Sequence, residues 1–195
     1  MGIKNFFIAK QKPLAYGLMA FGIILISILI LNFYGRNWWC SCGYVKFWDG
    51  ILNGPNDAQH FSDYYTFSHI IHGFVFFALL WLVARRLPLG MRFAFAVMIE
   101  EIWELFENSN FMIQRYRDIT IANAYEGDSI LNSTSDVLFM SLGFLLAWKL
   151  PMWVSIILII AMEVVVGFLI RDNLTLNIIM LIYPLQIIKR WQMGI

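Results

Sequence analysis

Long apolar runs alternate with short polar stretches along this chain, and the runs have the length of membrane-crossing helices rather than of buried strands. A helix needs about 20 largely apolar residues to cross the hydrocarbon layer. Leu14 to Phe33 contains no charged residue, and Phe67 to Val83 holds only His69 and His72 as ionisable groups. A third run begins apolar at Phe93 and then gains Glu100, Glu101 and Glu104. A fourth, Val137 to Trp148, is short and borrows length from the polar stretch before it. Trp153 to Ile170 is interrupted by Glu163 alone, and Leu174 to Ile188 carries Pro184 near its end. The pattern predicts an all-α, polytopic transmembrane bundle in one membrane domain over 1–195. Its six spans run over about 14–33, 67–84, 93–109, 129–148, 153–170 and 174–189. A re-entrant hairpin across the third and fourth runs is the alternative.

Composition agrees. The chain is 60% hydrophobic and 14% charged, with a mean hydropathy of +0.67. A soluble domain of this size is about a quarter charged. The net charge of +1 gives no footing to nucleic acid as a partner, so the partner implied is the lipid bilayer. With six spans, Lys4, Lys10, Lys12, Arg85, Arg86, Arg92, Lys149, Lys189 and Arg190 share one side, against Arg36, Lys46, Arg115, Arg117 and Arg171. Basic residues concentrate in the cytoplasm, so both termini are expected there, in a bacterial inner membrane. Cys40 and Cys42 then fall in the first outward loop. Cysteines two apart pair only with strain, although an oxidising compartment permits it; a loop packed by its tryptophans is the reading preferred here.

Under this topology the polar residues gather at one end. His69 and His72 share a helix face, as do Glu101, Glu104 and Asn108, while Asp128, Asn132 and Asp136 form a stripe with a spacing of four. Glu163 precedes Arg171 by eight residues, placing it about 12 Å below the outer end at 1.5 Å per residue. Ionisable groups at such depth cost several kcal/mol if they face lipid, so they are expected to face one another or a wet cavity. His69, His72, Glu104, Asp128 and Asp136 are the candidate catalytic set. Arg115, Arg117, Arg171 and Asn132 are the candidates for holding an anionic lipid or envelope headgroup. Histidines with carboxylates are ligand types for a divalent metal such as zinc, manganese or iron; they serve equally as a metal-free acid–base set. Both options stay open. No His-Glu-x-x-His pair or Gly-x-Ser-x-Gly elbow is present. Besides an enzyme on a headgroup, a proton-coupled transporter using Glu100, Glu101 and Glu163, or an assembly subunit docking by its polar end, fits the pattern.

Five segments, running over 39–44, 68–73, 103–108, 127–133 and 170–177, together resemble an uncharacterised family of bacterial multi-pass inner-membrane proteins. The resemblance covers about Trp38 to Trp191 and implies the helical membrane fold without an activity. More distantly the chain resembles VanZ-type membrane proteins, with His72, Glu104, Asp128 and Asn132 in corresponding places, but Glu107 and Asp136 depart from that pattern.

Overall fold

A computed structural model describes residues 13–195 apart from 52, 53, 55, 122 and 123. Lys4, Lys10 and Lys12, counted above on one side, lie outside the described residues. Among the described residues there are eight helices and no strand. They are α1 (Pro13–Phe33), α2 (Thr66–Ala84), α3 (Leu89–Glu107), α4 (Asn110–Ile119), α5 (Ile130–Lys149), α6 (Met152–Ile170), α7 (Leu174–Ile182) and α8 (Gln186–Met193).

Four of these, α1, α2, α5 and α6, are long and apolar enough to cross a membrane. Their outward faces carry Leu18, Phe21, Leu25 and Leu29 on α1, and Ile156, Ile160, Val164 and Phe168 on α6, all exposed. Such faces repeat at helical spacing and suit lipid. α3 is as long as α2 and α6, yet it carries four glutamates between residues 100 and 107. It buries three of them, Glu100, Glu101 and Glu104, as α1, α2 and α5 pack against it.

The two ends of the bundle can be told apart by contacts. Tyr16, in the first turn of α1, lies against Gly90 at the start of α3. Past the other end of α1, the Asn37 carbonyl accepts from the Ile130 N–H that opens α5, at 2.8 Å. α1, α3 and α6 therefore run towards the end where residues 34–65 and α4 lie, while α2 and α5 run away from it. α2 and α5 touch backbone to backbone: a Cβ on Gly73 would overlap the Met140 carbonyl, and one on Gly143 the Ile70 carbonyl. Small residues allow this approach between membrane helices. Around the contact, Val97, Val137, Met140 and Phe144 form a sealed apolar layer, with Phe77 and Phe93 edge-on to Phe144 at 5.2 and 5.5 Å.

The last expected span is not a span. Residues 174–189 form the nine-residue α7 and the start of the eight-residue α8. At 1.5 Å per residue α7 reaches about 14 Å, half the hydrocarbon thickness. Pro184 lacks an amide proton and ends the helix before Tyr183. Lys189 Nζ donates to the Asp118 carbonyl on α4 at 3.1 Å, and Gly194 lies against the Arg171 guanidinium. The C-terminal residues thus sit at the end of α6, opposite the start of α1. The expectation that both termini share one side needed a sixth crossing, which these helices do not make. α4 was not expected as an element. Its Ser109 Oγ accepts from the Met112 N–H at 3.3 Å, and Met112, Ile113, Tyr116 and Ile119 form its buried face.

Gly143→Ala should force α2 and α5 apart and cost about 1–3 kcal/mol, as overpacking does. Gly22→Ala, where nothing lies within 4 Å of the new methyl, should leave stability within about 0.5 kcal/mol. Thermal unfolding of both variants in the same detergent checks the contrast.

Candidate functional site

Between α2, α3 and α5, at the end capped by residues 57–58, α4 and Gln192, lies a cavity of about 90 Å³. Its inner wall is histidine and acid. His69 and His72, one helical turn apart on α2, both line it, their rings edge to face with centroids 5.2 Å apart. Behind them is Glu100, wholly buried. His69 donates from Nδ1 to Glu100 Oε1 at 2.6 Å, and His72 donates from Nδ1 to Oε2 at 3.0 Å. One carboxylate therefore orients two imidazoles and sets the tautomer of each. His69 Nε2 is 3.8 Å from Asp136 Oδ2, and Glu104 Oε1 is 3.5 Å from His69 Nδ1.

Asp128 enters from the turn before α5. Gly127, at φ +91°, takes a left-handed conformation where a side chain would also strike Arg36, Ile113 and Asn108. The Asp128 carboxylate accepts from Tyr125 OH at 2.8 Å and from Asn108 Nδ2 at 2.9 Å. Ser129, one residue on, is the helix cap, its Oγ accepting from the Asn132 N–H at 3.1 Å. Burial pushes the Asp128 carboxyl above its ordinary range, although the hydrogen bonds from Tyr125 and Asn108 oppose this.

The structure brings together His69, His72, Glu104, Asp128 and Asp136, all within or beside this cavity. It places the expected anion-holding residues elsewhere. Arg115 Nη2 donates to the Leu181 carbonyl at 2.9 Å, and Arg117 Nε to the Tyr125 carbonyl at 2.5 Å. Arg171 is exposed at the left-handed end of α6. Asn132 lines the cavity but donates from Nδ2 to the His60 carbonyl at 2.9 Å, tying the 34–65 segment to α5. None of the three arginines lines the cavity. Its wall is instead acidic and aromatic: Tyr65 OH donates to Asp172 Oδ2 at 3.1 Å, and Glu107 receives hydrogen bonds from Tyr116 and Trp103.

Glu100, Asp63, Tyr65 and Asp172 were missed as site residues. Glu100 stands four residues before Glu104, on the same face, and that spacing was the available signal. Asp63 and Asp172 belong to loops that only the fold brings near α2. Glu163 is not part of the cavity. The chain turns back after Arg171, and the Glu163 carboxylate accepts from the Leu174 and Thr175 N–H groups, each at 3.1 Å, capping α7. Cys40 and Cys42 form a disulfide in the 34–65 segment.

The fold and site define an all-helical protein with four membrane-compatible helices and a buried histidine–carboxylate cavity at one end. Residues 31–194 match the family model described as "Protein of unknown function (DUF2585)". The chain belongs to this family. It is 49% identical over 184 residues to a UPF0314 protein of Agrobacterium fabrum, covering 94% of this chain and 93% of the relative. A UPF0314 protein of Sinorhizobium fredii is 51% identical over 174 residues, covering 89% and 88%. One from Paracoccus denitrificans is 49% identical over 172 residues, covering 88% and 89%. These matches show nothing of the more distant likeness to VanZ-type proteins. No solved structure matches the chain.

The loop carboxyls make stability depend on pH. Burial is the largest cause at both: it pushes Asp63 up to about 7 and Asp172 to about 6, against hydrogen bonds that lower them. Both folded values lie above the ordinary carboxyl range, so the protonated forms favour folding. That contribution is complete below about pH 4 and is lost as pH rises through 6 and 7. Asp63→Asn keeps the oxygen that accepts from the Tyr65 N–H. It should match the wild type at acid pH and exceed it above pH 7, as thermal unfolding across that range will read.

Proposed function

We propose that this protein is an enzyme of the bacterial inner membrane that performs acid–base chemistry on a lipid or envelope headgroup admitted to the cavity from the outward face. The observation that carries this reading is the Glu100 carboxylate, which holds His69 and His72 through their Nδ1 atoms on the cavity wall. An imidazole with one nitrogen fixed by a buried carboxylate and its ring at a cavity is the usual arrangement of a general base. His72 is the proton-handling group, with Asp128 across the cavity as its acid partner. The wall favours an amine-bearing headgroup over the anionic one first expected. Tyr65, Tyr116, Tyr125 and Trp103 orient the wall carboxyls with neutral donors and bring no positive charge that would compete with an amine, and aromatic faces attract ammonium groups. The carrier reading has less support. Glu163, which a relay would need, caps α7, and the buried acids gather at one end.

In the membrane, α3 crosses beside α1, α2, α5 and α6, with its glutamates turned inward, which makes five crossings. The C-terminus then moves to the side of the cavity. Lys189 and Arg190 move with it, and the basic residues divide seven and seven, so they no longer orient the chain. The Cys40–Cys42 disulfide supports an outward cavity, because such bonds persist in oxidising compartments. Alkaline phosphatase fused after Ile195 should be active, and a fluorescent protein there dark; the reverse would turn the cavity to the cytoplasm.

For the chemistry, the full chain in detergent is incubated with phosphatidylethanolamine and separately with phosphatidylglycerol, and released headgroups are read by mass spectrometry. Turnover is expected on the amine lipid. His72→Ala should reduce it by about 10²–10⁴, the usual range for a general base. Equal rates for His72→Ala and the wild type would sink the assignment.

A further inference from the structure

His69 belongs to two overlapping trios of metal-ligand side chains, and they differ in how well they are satisfied. In the first, with His72 and Glu100, the contacts are already hydrogen bonds, and no ion is needed to explain them. In the second, Glu104 and Asp136 have the His69 ring nearby, at 3.5 and 3.8 Å, but no hydrogen bond to it. Glu104 is 0% exposed and Asp136 4%. Neither Glu104 oxygen has a hydrogen-bond partner, and Asp136 Oδ1 has none. Two carboxylates sharing a proton would be hydrogen-bonded to each other, and these are not. Buried charge without a partner is disfavoured by several kcal/mol, and a bound cation would remove that cost.

We infer that His69, Glu104 and Asp136 form a divalent-metal site, with Glu100 as the positioning residue that holds the His69 ring. The ligand atoms of the trio all lie within 4.8 Å of one another. Ligands bound at about 2.0–2.2 Å from one ion stand up to about 4.4 Å apart. With Nδ1 held by Glu100, His69 offers Nε2, and its 3.8 Å to Asp136 Oδ2 falls inside that range; a small rotation of the Glu104 side chain closes the site. One imidazole and two carboxylates, with no thiolate, suit Zn²⁺, Mn²⁺ or Fe²⁺. Three protein ligands leave a position for water or substrate, the pattern of catalytic rather than structural sites. His69 and Asp136 line the cavity, which supplies the entry path. Glu100, accepting from the histidine, is the outer carboxylate that such sites use to orient a ligand imidazole. The inference stands on these residues and does not need the headgroup reading to hold.

The test uses the full chain in a non-ionic detergent, stripped with a chelator and dialysed against ZnCl₂ or MnCl₂, with MgCl₂ as the control. After desalting, elemental analysis should give about one Zn²⁺ or Mn²⁺ per chain, with a raised thermal midpoint. Glu104→Gln and Asp136→Asn should weaken binding at least a hundredfold, and Glu100→Gln by about 10–100-fold. Wild-type protein that stays metal-free, or Glu104→Gln that binds as tightly as wild type, overturns the site. Because those variants can misfold, Co²⁺ is also added to the stripped wild type. A visible spectrum changed from that of Co²⁺ in buffer, and abolished by prior Zn²⁺, supports the site; an unchanged spectrum overturns it. Metal binding without turnover on either lipid would leave the site intact and remove the headgroup enzyme.

Discussion

Carboxylates buried in an apolar bundle are the constraint around which the rest of this structure is arranged. Removing a carboxylate from water costs several kcal/mol even after relaxation, and Glu100, Glu104, Asp128 and Asp136 are all buried within one neighbourhood. Each has to be answered locally. Glu100 is answered by two imidazoles, and Asp128 by a tyrosine and an asparagine. The helices that carry the acids and histidines, α2, α3 and α5, are the ones drawn into the centre, while α1 and α6 present their apolar sides outward. The segment before α2 and the short helix α4 close over the same acids, because loop groups such as Tyr125 and Asp63 have their own polar partners to reach.

Much of this was legible from the order of apolar and polar residues. α1, α2 and α6 stand out as runs long enough to cross a membrane, and their observed bounds lie within about two residues of those expected. The spacing of four placed Asn132 and Asp136 on one face of α5, while Asp128 reaches the same cavity from the turn before the helix. The clustering of His69, His72, Glu104, Asp128 and Asp136 followed from the cost of burying each alone.

What was not legible depended on partners distant in the chain. Residues 174–189 are apolar enough to pass as a span, but Pro184 and the capping of α7 by Glu163 divide them. Nothing in local hydropathy shows that a carboxylate eleven and twelve residues back will bind the N–H groups of Leu174 and Thr175. The arginines were misjudged for a related reason. A guanidinium in an outward loop reads as free to hold an anion, whereas Arg115 and Arg117 are taken up by the carbonyls of Leu181 and Tyr125. Glu100 was read as a deep relay group because its two histidine partners lie about 30 residues away on another helix.

The backbone contact between Gly73 and Gly143 has a further consequence. His69 lies one turn before Gly73, and Asp136 two turns before Gly143. The two glycines therefore act as a fixed pivot close beneath the opposed side chains of His69 and Asp136 on α2 and α5. Because the helices already touch there, they cannot close further, and Met140 and Phe144 packed at the same level keep them from spreading. The bite between imidazole and carboxylate is thus set by main chain rather than by side-chain choice. At the proposed metal site, a gauge of this kind would discriminate ions by radius, favouring a small, tightly bound cation over Ca²⁺, whose longer bonds demand a wider cradle.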